Sequence, residues 1–326
     1  MKGIIAKEPG GRDQLVYVDV PDPVVNPGDI LIEVHAAAVN RTDILNREGK
    51  LGYVKNPVIG IEVAGIVVDA NGHGGFSHGD RVMGLVNGGA YAEYVTMPAN
   101  RAMKIPENLD FNAAAAIPEV FLTAYQTLYW IAKLSKQESV LIHAGGSGVG
   151  TAAIQLAKGL SDAFVITTAG ADNKLAKCKD LGADVLVNYK EKDFAQEVEN
   201  ATEGSGVSVI LDFVGAQYWK QNYQSIAIDG RWVLIGVLGG STVEKVKLMD
   251  LMMKRIQLTG TLLTPRSDQY KAELTREFSD ETYELFEKGE LKPVIDTIYA
   301  IEEVQKAHEM MEKNKNTGKI ILKVKS

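Results

Sequence analysis

Val140-Leu141-Ile142-His143-Ala144-Gly145-Gly146-Ser147-Gly148-Val149-Gly150 reads as a short apolar strand, a glycine-rich turn and the start of a helix. Glycines at such a turn let the backbone approach a pyrophosphate, whose charge is met by the free N–H groups of the helix N-terminus. The spacing Gly145-x-Ser147-x-x-Gly150 departs from the dinucleotide pattern G-x-G-x-x-G by one serine. A tight turn with no ligand is the competing reading. What favours a cofactor is that the turn opens a series of strand–helix units. Strands are expected at 164–168, 185–187, 207–211, 232–235 and 258–263, with helices at 149–160, 173–181, 193–202 and 219–226. Six strands joined by helical crossovers predict an α/β, doubly wound parallel sheet.

The flanks read differently. Upstream, strands at 28–35, 60–68, 79–84 and 90–95 are punctuated by glycines, as in a compact β barrel. Helical stretches at 113–116 and 121–134 are parted by Pro118. Downstream come a charged helix at 270–288, a strand at 294–299, a helix at 302–314 and a strand at 319–325.

The 326 residues suit about two domains. With 45% hydrophobic and 24% charged residues, they can fill two cores. A net charge of −7 repels phosphate backbones, so no nucleic-acid partner is expected. The single cysteine, Cys178, excludes an internal disulfide framework and is expected to be buried packing. No signal peptide or membrane span is read, so the expectation is a cytoplasmic protein without a membrane partner.

Cofactor choice is read at the end of the second strand, where an NAD enzyme usually carries an acid about 20 residues beyond the glycines. Here Thr167-Thr168-Ala169-Gly170-Ala171 offers none, and Lys174 suits a 2′-phosphate, while Asp172 argues the other way. NADPH is the expected cofactor.

Several longer motifs carry a family resemblance. They are Val39-Asn40-Arg41-Thr42-Asp43, Gly79-Asp80-Arg81-Val82, Ala114-Ala115-Ala116-Ile117-Pro118-Glu119 with Leu122-Thr123-Ala124, the run from Ile142 to Leu156, Asn188-Tyr189-Lys190, Asp229-Gly230-Arg231-Trp232-Val233-Leu234, and Asn314-Lys315-Asn316-Thr317-Gly318-Lys319-Ile320. Over nearly its whole length the chain resembles the zinc-independent quinone oxidoreductases of the medium-chain dehydrogenase/reductase superfamily. The resemblance implies a GroES-like catalytic domain from residues 1–122 and 266–326, with a Rossmann dinucleotide-binding domain, 123–265, inserted in it. Where zinc members have a cysteine and a histidine, this chain has Asn40 and Ile61, which cannot replace them, so no metal is expected.

The resemblance also implies roles. Thr123 lies beside the nicotinamide, and Gly145, Gly146, Ser147, Gly148 and Val149 hold the pyrophosphate. Gly170, Lys174 and Tyr189 surround the adenosine 2′-phosphate. Val214, Gly215, Gly236, Val237, Leu238, Leu262, Leu263, Thr264 and Asn316 touch the cofactor, though an apolar strand-end core position is the plainer reading for any one of the apolar members. Asn40 sits in the substrate cleft, and Tyr53, two places later than the usual tyrosine, is a candidate to line it. The implied activity is NADPH-dependent reduction of a quinone or related electrophile. The alternatives are reduction of enal or enone double bonds, and a non-catalytic NADPH-binding protein. A homodimer is expected through the edge strand 257–263, with proline at Thr259 or Thr261 as the way to disturb it.

Overall fold

The computed structural model describes residues 1–51 and 55–325. The chain divides into two compact units, Thr123–Thr264 and Met1–Leu122 with Pro265–Ser326.

In the continuous unit, six strands form one parallel sheet: β1 (Ser139–Ile142), β2 (Phe164–Ala169), β3 (Val185–Asn188), β4 (Val207–Asp212), β5 (Ile226–Leu234) and β6 (Gln257–Gly260). Their order is β3-β2-β1-β4-β5-β6. The chain therefore builds outward from β1 to one edge, crosses back, and builds to the other edge. Such a sheet binds ligands at the carboxyl ends of its strands, where the order reverses. Val140, Leu141 and Ile142 of the central β1 are wholly buried, as a strand covered on both faces requires.

Three elements differ from the expectations. β5 starts at Ile226 rather than 232. Its first residue, Ile226, pairs with Val207 and the register resumes at Val209↔Arg231, so residues 227–230 bulge out of the pairing, with Asp229 at φ 62°. β6 stops at Gly260, short of 263. A helix forms at Leu248–Lys254, where none was read, and none of its residues is buried.

The other unit is built around an antiparallel system. The long strand Asp29–Val39 pairs with Glu62–Asp69, with Tyr94–Pro98 and with Lys319–Lys323. Ile295–Ala300 adds to Lys319–Lys323 in parallel, while Arg81–Leu85 and Ala102–Lys104 extend the far side. The register Ile320↔Val39 sets Lys319 beside Asn40, although 279 positions separate them in the chain. Pro118 opens the helix Pro118–Tyr125, where its missing N–H costs nothing. That helix runs into a π-helical stretch at Gln126–Ile131. Among the described residues, no helix is long and apolar enough to cross a membrane.

Candidate functional site

The glycine-rich turn is drawn tightly onto the end of β2. A Cβ at Gly145 would strike Thr167 Oγ1 and lie 3.0 Å from Cys178 Sγ, and one at Gly146 would lie 2.9 Å from the Lys174 stem. A Cβ at Gly150 would strike the Ala144 carbonyl, so the turn tolerates no side chain at these points. Ser147, the departure from the glycine pattern, is the N-cap of the helix Gly148–Ser161, its Oγ accepting from Gly150 N at 3.0 Å. It meets one of the four N–H groups that a helix start leaves open, while Gly148 and Val149 form the first turn. Cys178 is buried beneath the turn, and burial pushes its thiol up to about 11, so it is unreactive near neutrality.

Beside this turn, the Tyr189 ring lies over bare backbone at Gly170. A Cβ there would come within 2.5 Å of Tyr189 Oη and 2.7 Å of Cζ. Tyr189 is 44% exposed, so one face is open to a ligand. Asp172, the acid nearest the strand end, accepts from Asn188 Nδ2 at 3.2 Å. Gly146, Gly170, Lys174 and Tyr189 thus converge on the end of β2.

The loops after β4 and β5 interlock. Leu238 N donates to Phe213 O at 3.2 Å, Gly239 N to Val214 O at 2.8 Å, and Ala216 N to Gly240 O at 2.9 Å. Gly215 has φ +80° and no room for a side chain, because a Cβ would lie 2.7 Å from Gly240 O. Gly236 packs its bare face on Phe213 O, while Val237 and Leu238 are exposed. After β6, Leu262 is exposed, Leu263 is buried and Thr264 is half-buried. Parallel strands end on the same side of a sheet, so all these segments share one edge. Thr123 is buried on the helix Pro118–Tyr125, where its carbonyl accepts the Thr127 hydroxyl at 2.8 Å.

In the other unit, Asn40 belongs to a buried polar cluster. Lys319 Nζ donates to Asn40 Oδ1 at 2.6 Å, Glu62 Oε2 at 2.9 Å and Val39 O at 3.2 Å. Asn40 Nδ2 donates to Glu62 Oε2 at 3.0 Å, so both ends of its amide are engaged. Glu62 Oε1 accepts from Glu119 N at 2.7 Å. Asp43 Oδ2 accepts from Asn40 N at 2.8 Å and from the Tyr91 hydroxyl at 2.9 Å. Burial, more than any neighbour, pushes the Asp43 carboxyl up to about 7, and burial followed by the Glu62 charge pushes Glu119 up to about 8. Asp43 Oδ1 and Glu119 Oε2 are buried without a partner. Asn316 donates to Gly318 O at 2.6 Å within its own turn. Tyr53 lies outside the described residues. Among those residues, no group of three or more His, Cys, Asp or Glu side chains is disposed to hold a metal ion.

Sequence reasoning missed Lys319, Glu62, Glu119 and Asp212. The one available signal was a charge set in an apolar run, as in Ile61-Glu62-Val63, Lys319-Ile320-Ile321 and Ile210-Leu211-Asp212-Phe213.

Comparison with known proteins agrees with this architecture. Residues 26–107 match the family model described as alcohol dehydrogenase GroES-like domain, and residues 148–280 match that described as zinc-binding dehydrogenase. A quinone oxidoreductase-like protein 2 homolog of Nematostella vectensis is 32% identical over 303 residues, covering 91% of this chain and 82% of the relative. The crystal structure of an NAD-dependent alcohol dehydrogenase superposes with a TM-score of 0.89 at 30% identity, covering 99% of this chain and 100% of that one. A mycobacterial protein solved with NADPH gives 0.88 at 30% identity, with the same coverage.

Proposed function

Because the chain belongs to the medium-chain dehydrogenase/reductase superfamily of oxidoreductases, we propose that it reduces quinones with NADPH and without zinc. The observation that carries the cofactor reading is the patch at the end of β2. Tyr189 covers Gly170, Lys174 packs on Gly146, and the nearest acid is turned onto Asn188. A cation and an aromatic face there, with one oxygen of that carboxylate held by Asn188, favour a 2′-phosphate over a bare ribose hydroxyl.

In this reading the bared glycines and the helix start hold the pyrophosphate. Tyr189 faces the adenosine, Lys174 neutralises its phosphate, and the segments 214–215, 236–238 and 262–264 supply the remaining contacts, with Thr123 and Asn316 as further candidates. Bound NADPH supplies a hydride. The protein's task is to orient the two reactants and exclude water. A quinone is electrophilic enough to need no Lewis acid. Lys319 already puts one cation among Asn40, Val39 and Glu62, and Asn40 acts from within those bonds, with Tyr53 as the other substrate-side residue.

NADPH oxidation with a quinone, and separately with an enone, tests the reading. Hydroquinone formation that survives exhaustive chelation is expected. Turnover of the enone alone would replace it with double-bond reduction, and turnover of neither would leave a binding protein.

We further propose a homodimer through β6. That edge strand is exposed along its length, and beside it in the chain the helix Leu248–Lys254 leaves Leu248, Met249, Met252 and Met253 each at least 60% exposed. Open backbone groups flanked by apolar side chains suit pairing with an identical edge. Thr261 N donates inward to Leu234 O at 3.0 Å. By the alternation of a strand, Thr259 turns the same way and Leu258 turns outward, so Leu258 rather than Thr259 or Thr261 is the position at which proline tests the interface.

A further inference from the structure

Asp212, at the end of β4, is wholly buried and accepts four hydrogen bonds on its carboxylate. Oδ1 takes Val214 N at 2.7 Å and Gly215 N at 3.0 Å. Oδ2 takes Asn222 Nδ2 at 3.0 Å and Trp232 Nε1 at 3.1 Å. Its main-chain carbonyl takes Ile235 N at 2.7 Å and Gly236 N at 3.3 Å. One residue therefore grips the start of both interlocked loops.

The network continues across the sheet. Asn222 Oδ1 meets His143 Nε2 at 2.7 Å, and His143 Nδ1 meets Thr168 Oγ1 at 3.0 Å. The Thr168 carbonyl in turn accepts Gly145 N at 2.9 Å. A carboxylate can only accept, so Asn222 must turn its amino group to Asp212 and its oxygen to His143. His143 must then carry its proton on Nε2, and its bare Nδ1 accepts from the threonine hydroxyl. Burial lowers the pKa of this imidazole, which keeps it neutral and able to play both parts. None of the polar side-chain atoms of these four buried residues lacks a partner. The His143 ring also packs on Tyr218, which meets Tyr189 edge-on at 6.2 Å.

We propose that Asp212 is the positioning residue of the cofactor site: its fixed charge orients the Asn222–His143–Thr168 chain and thereby holds, from one buried point, the end of β2 and the turns after β1, β4 and β5. The inference rests on the cofactor reading above. Nothing in the network touches a ligand, so its contribution is to order the backbone before binding, which spares the ordering cost during binding.

The test is Asp212→Asn, which leaves one oxygen for donors that now occupy two. In ligand-free protein, the Val214 and Gly215 amides should exchange with solvent faster, and nitrogen NMR should show the His143 proton leaving Nε2. NADPH affinity should fall by about ten- to a hundredfold, as for one or two charge-assisted hydrogen bonds. Ile210→Ala, a cavity variant two residues away in the same strand, serves as the stability control and should keep the affinity despite an equal or greater loss of Tm. If Asp212→Asn does not fold, Thr168→Val and His143→Phe cut the chain at its other end. Each should speed Gly145 exchange and weaken NADPH. Equal affinity loss in the Ile210 control would reduce the network to a general stabiliser and overturn the proposal, as would unchanged exchange in the network variants. If the unmutated protein binds neither NADPH nor NADH, the cofactor reading fails by itself, and the exchange and NMR measurements still decide whether Asp212 orders the turns.

Discussion

Glu119→Gln should flatten the pH dependence of stability. The Glu119 carboxyl, with Oε2 buried and the Glu62 charge nearby, keeps its proton up to about pH 8, whereas an ordinary glutamate releases it near 4.5. Between those values the folded chain binds a proton that the unfolded chain has lost. This group's contribution is therefore fully present below 4.5 and is lost as pH rises toward 8. One group gives a slope of about 1.4 kcal/mol per pH unit, or close to 3 kcal/mol between pH 5 and pH 7. Glutamine copies the neutral form at every pH. The variant's stability relative to the unmutated protein should therefore rise by about that amount over the same interval. Asp43, raised to about 7 mainly by burial, leaves a residual slope in the variant. Urea denaturation followed by circular dichroism at half-unit steps measures both curves. Parallel curves would refute the reasoning, because Glu119 would then be ionised inside the fold or no longer buried.

Other outcomes follow from other parts of the structure. Lys174→Ala should weaken NADPH by about 1–3 kcal/mol and leave NADH nearly unchanged, as read by fluorescence titration of both cofactors; equal affinities in the unmutated protein would sink the selectivity argument. Gly170→Ala drives a methyl into the Tyr189 ring, so NADPH affinity should fall in the same titration while the fold persists. Lys319→Met strands Glu62 in a dry interior and should cost about 3–5 kcal/mol in denaturant unfolding, whereas a loss near zero would mean that water reaches the cluster. The unmutated protein should sediment as a dimer of 35.4 kDa chains at micromolar concentration, and Leu258→Pro should shift it to monomer.

Much of the parallel sheet was legible because its signals are local. Apolar triplets such as Val140-Leu141-Ile142 mark buried strands, and the turn after them carries its own glycine signature. Ser147 looked like a flaw in that signature, and only the cap geometry shows it meeting a helix N–H. The helix Leu248–Lys254 escaped because it is short and its apolar residues Leu248, Met249, Met252 and Met253 are exposed rather than confined to one buried stripe. β5 was read short because its first pair, Ile226↔Val207, is parted from the run Arg231–Leu234 by residues 227–230, which fall outside the register with β4 and β6. The polar clusters were illegible for a different reason. Lys319 reads as one more surface lysine until the register Ile320↔Val39 brings it to Asn40, and Asp212 reads as an ordinary strand-end acid until its donors are counted. Pairing across the fold is not a property of any window of sequence.

The place of Lys319 bears on how the chain folds during synthesis. Glu62 and Asn40 leave the ribosome more than 250 residues ahead of the ammonium that neutralises them. Until residue 319 emerges, Glu62 lacks the Lys319 ammonium and the cost of burying it is unopposed, so the unit made of Met1–Leu122 and Pro265–Ser326 has to wait. The continuous unit, Thr123–Thr264, has emerged in full before residue 319 and is free to settle first. A nascent chain halted before residue 319 should therefore present a folded parallel sheet between two unsettled ends.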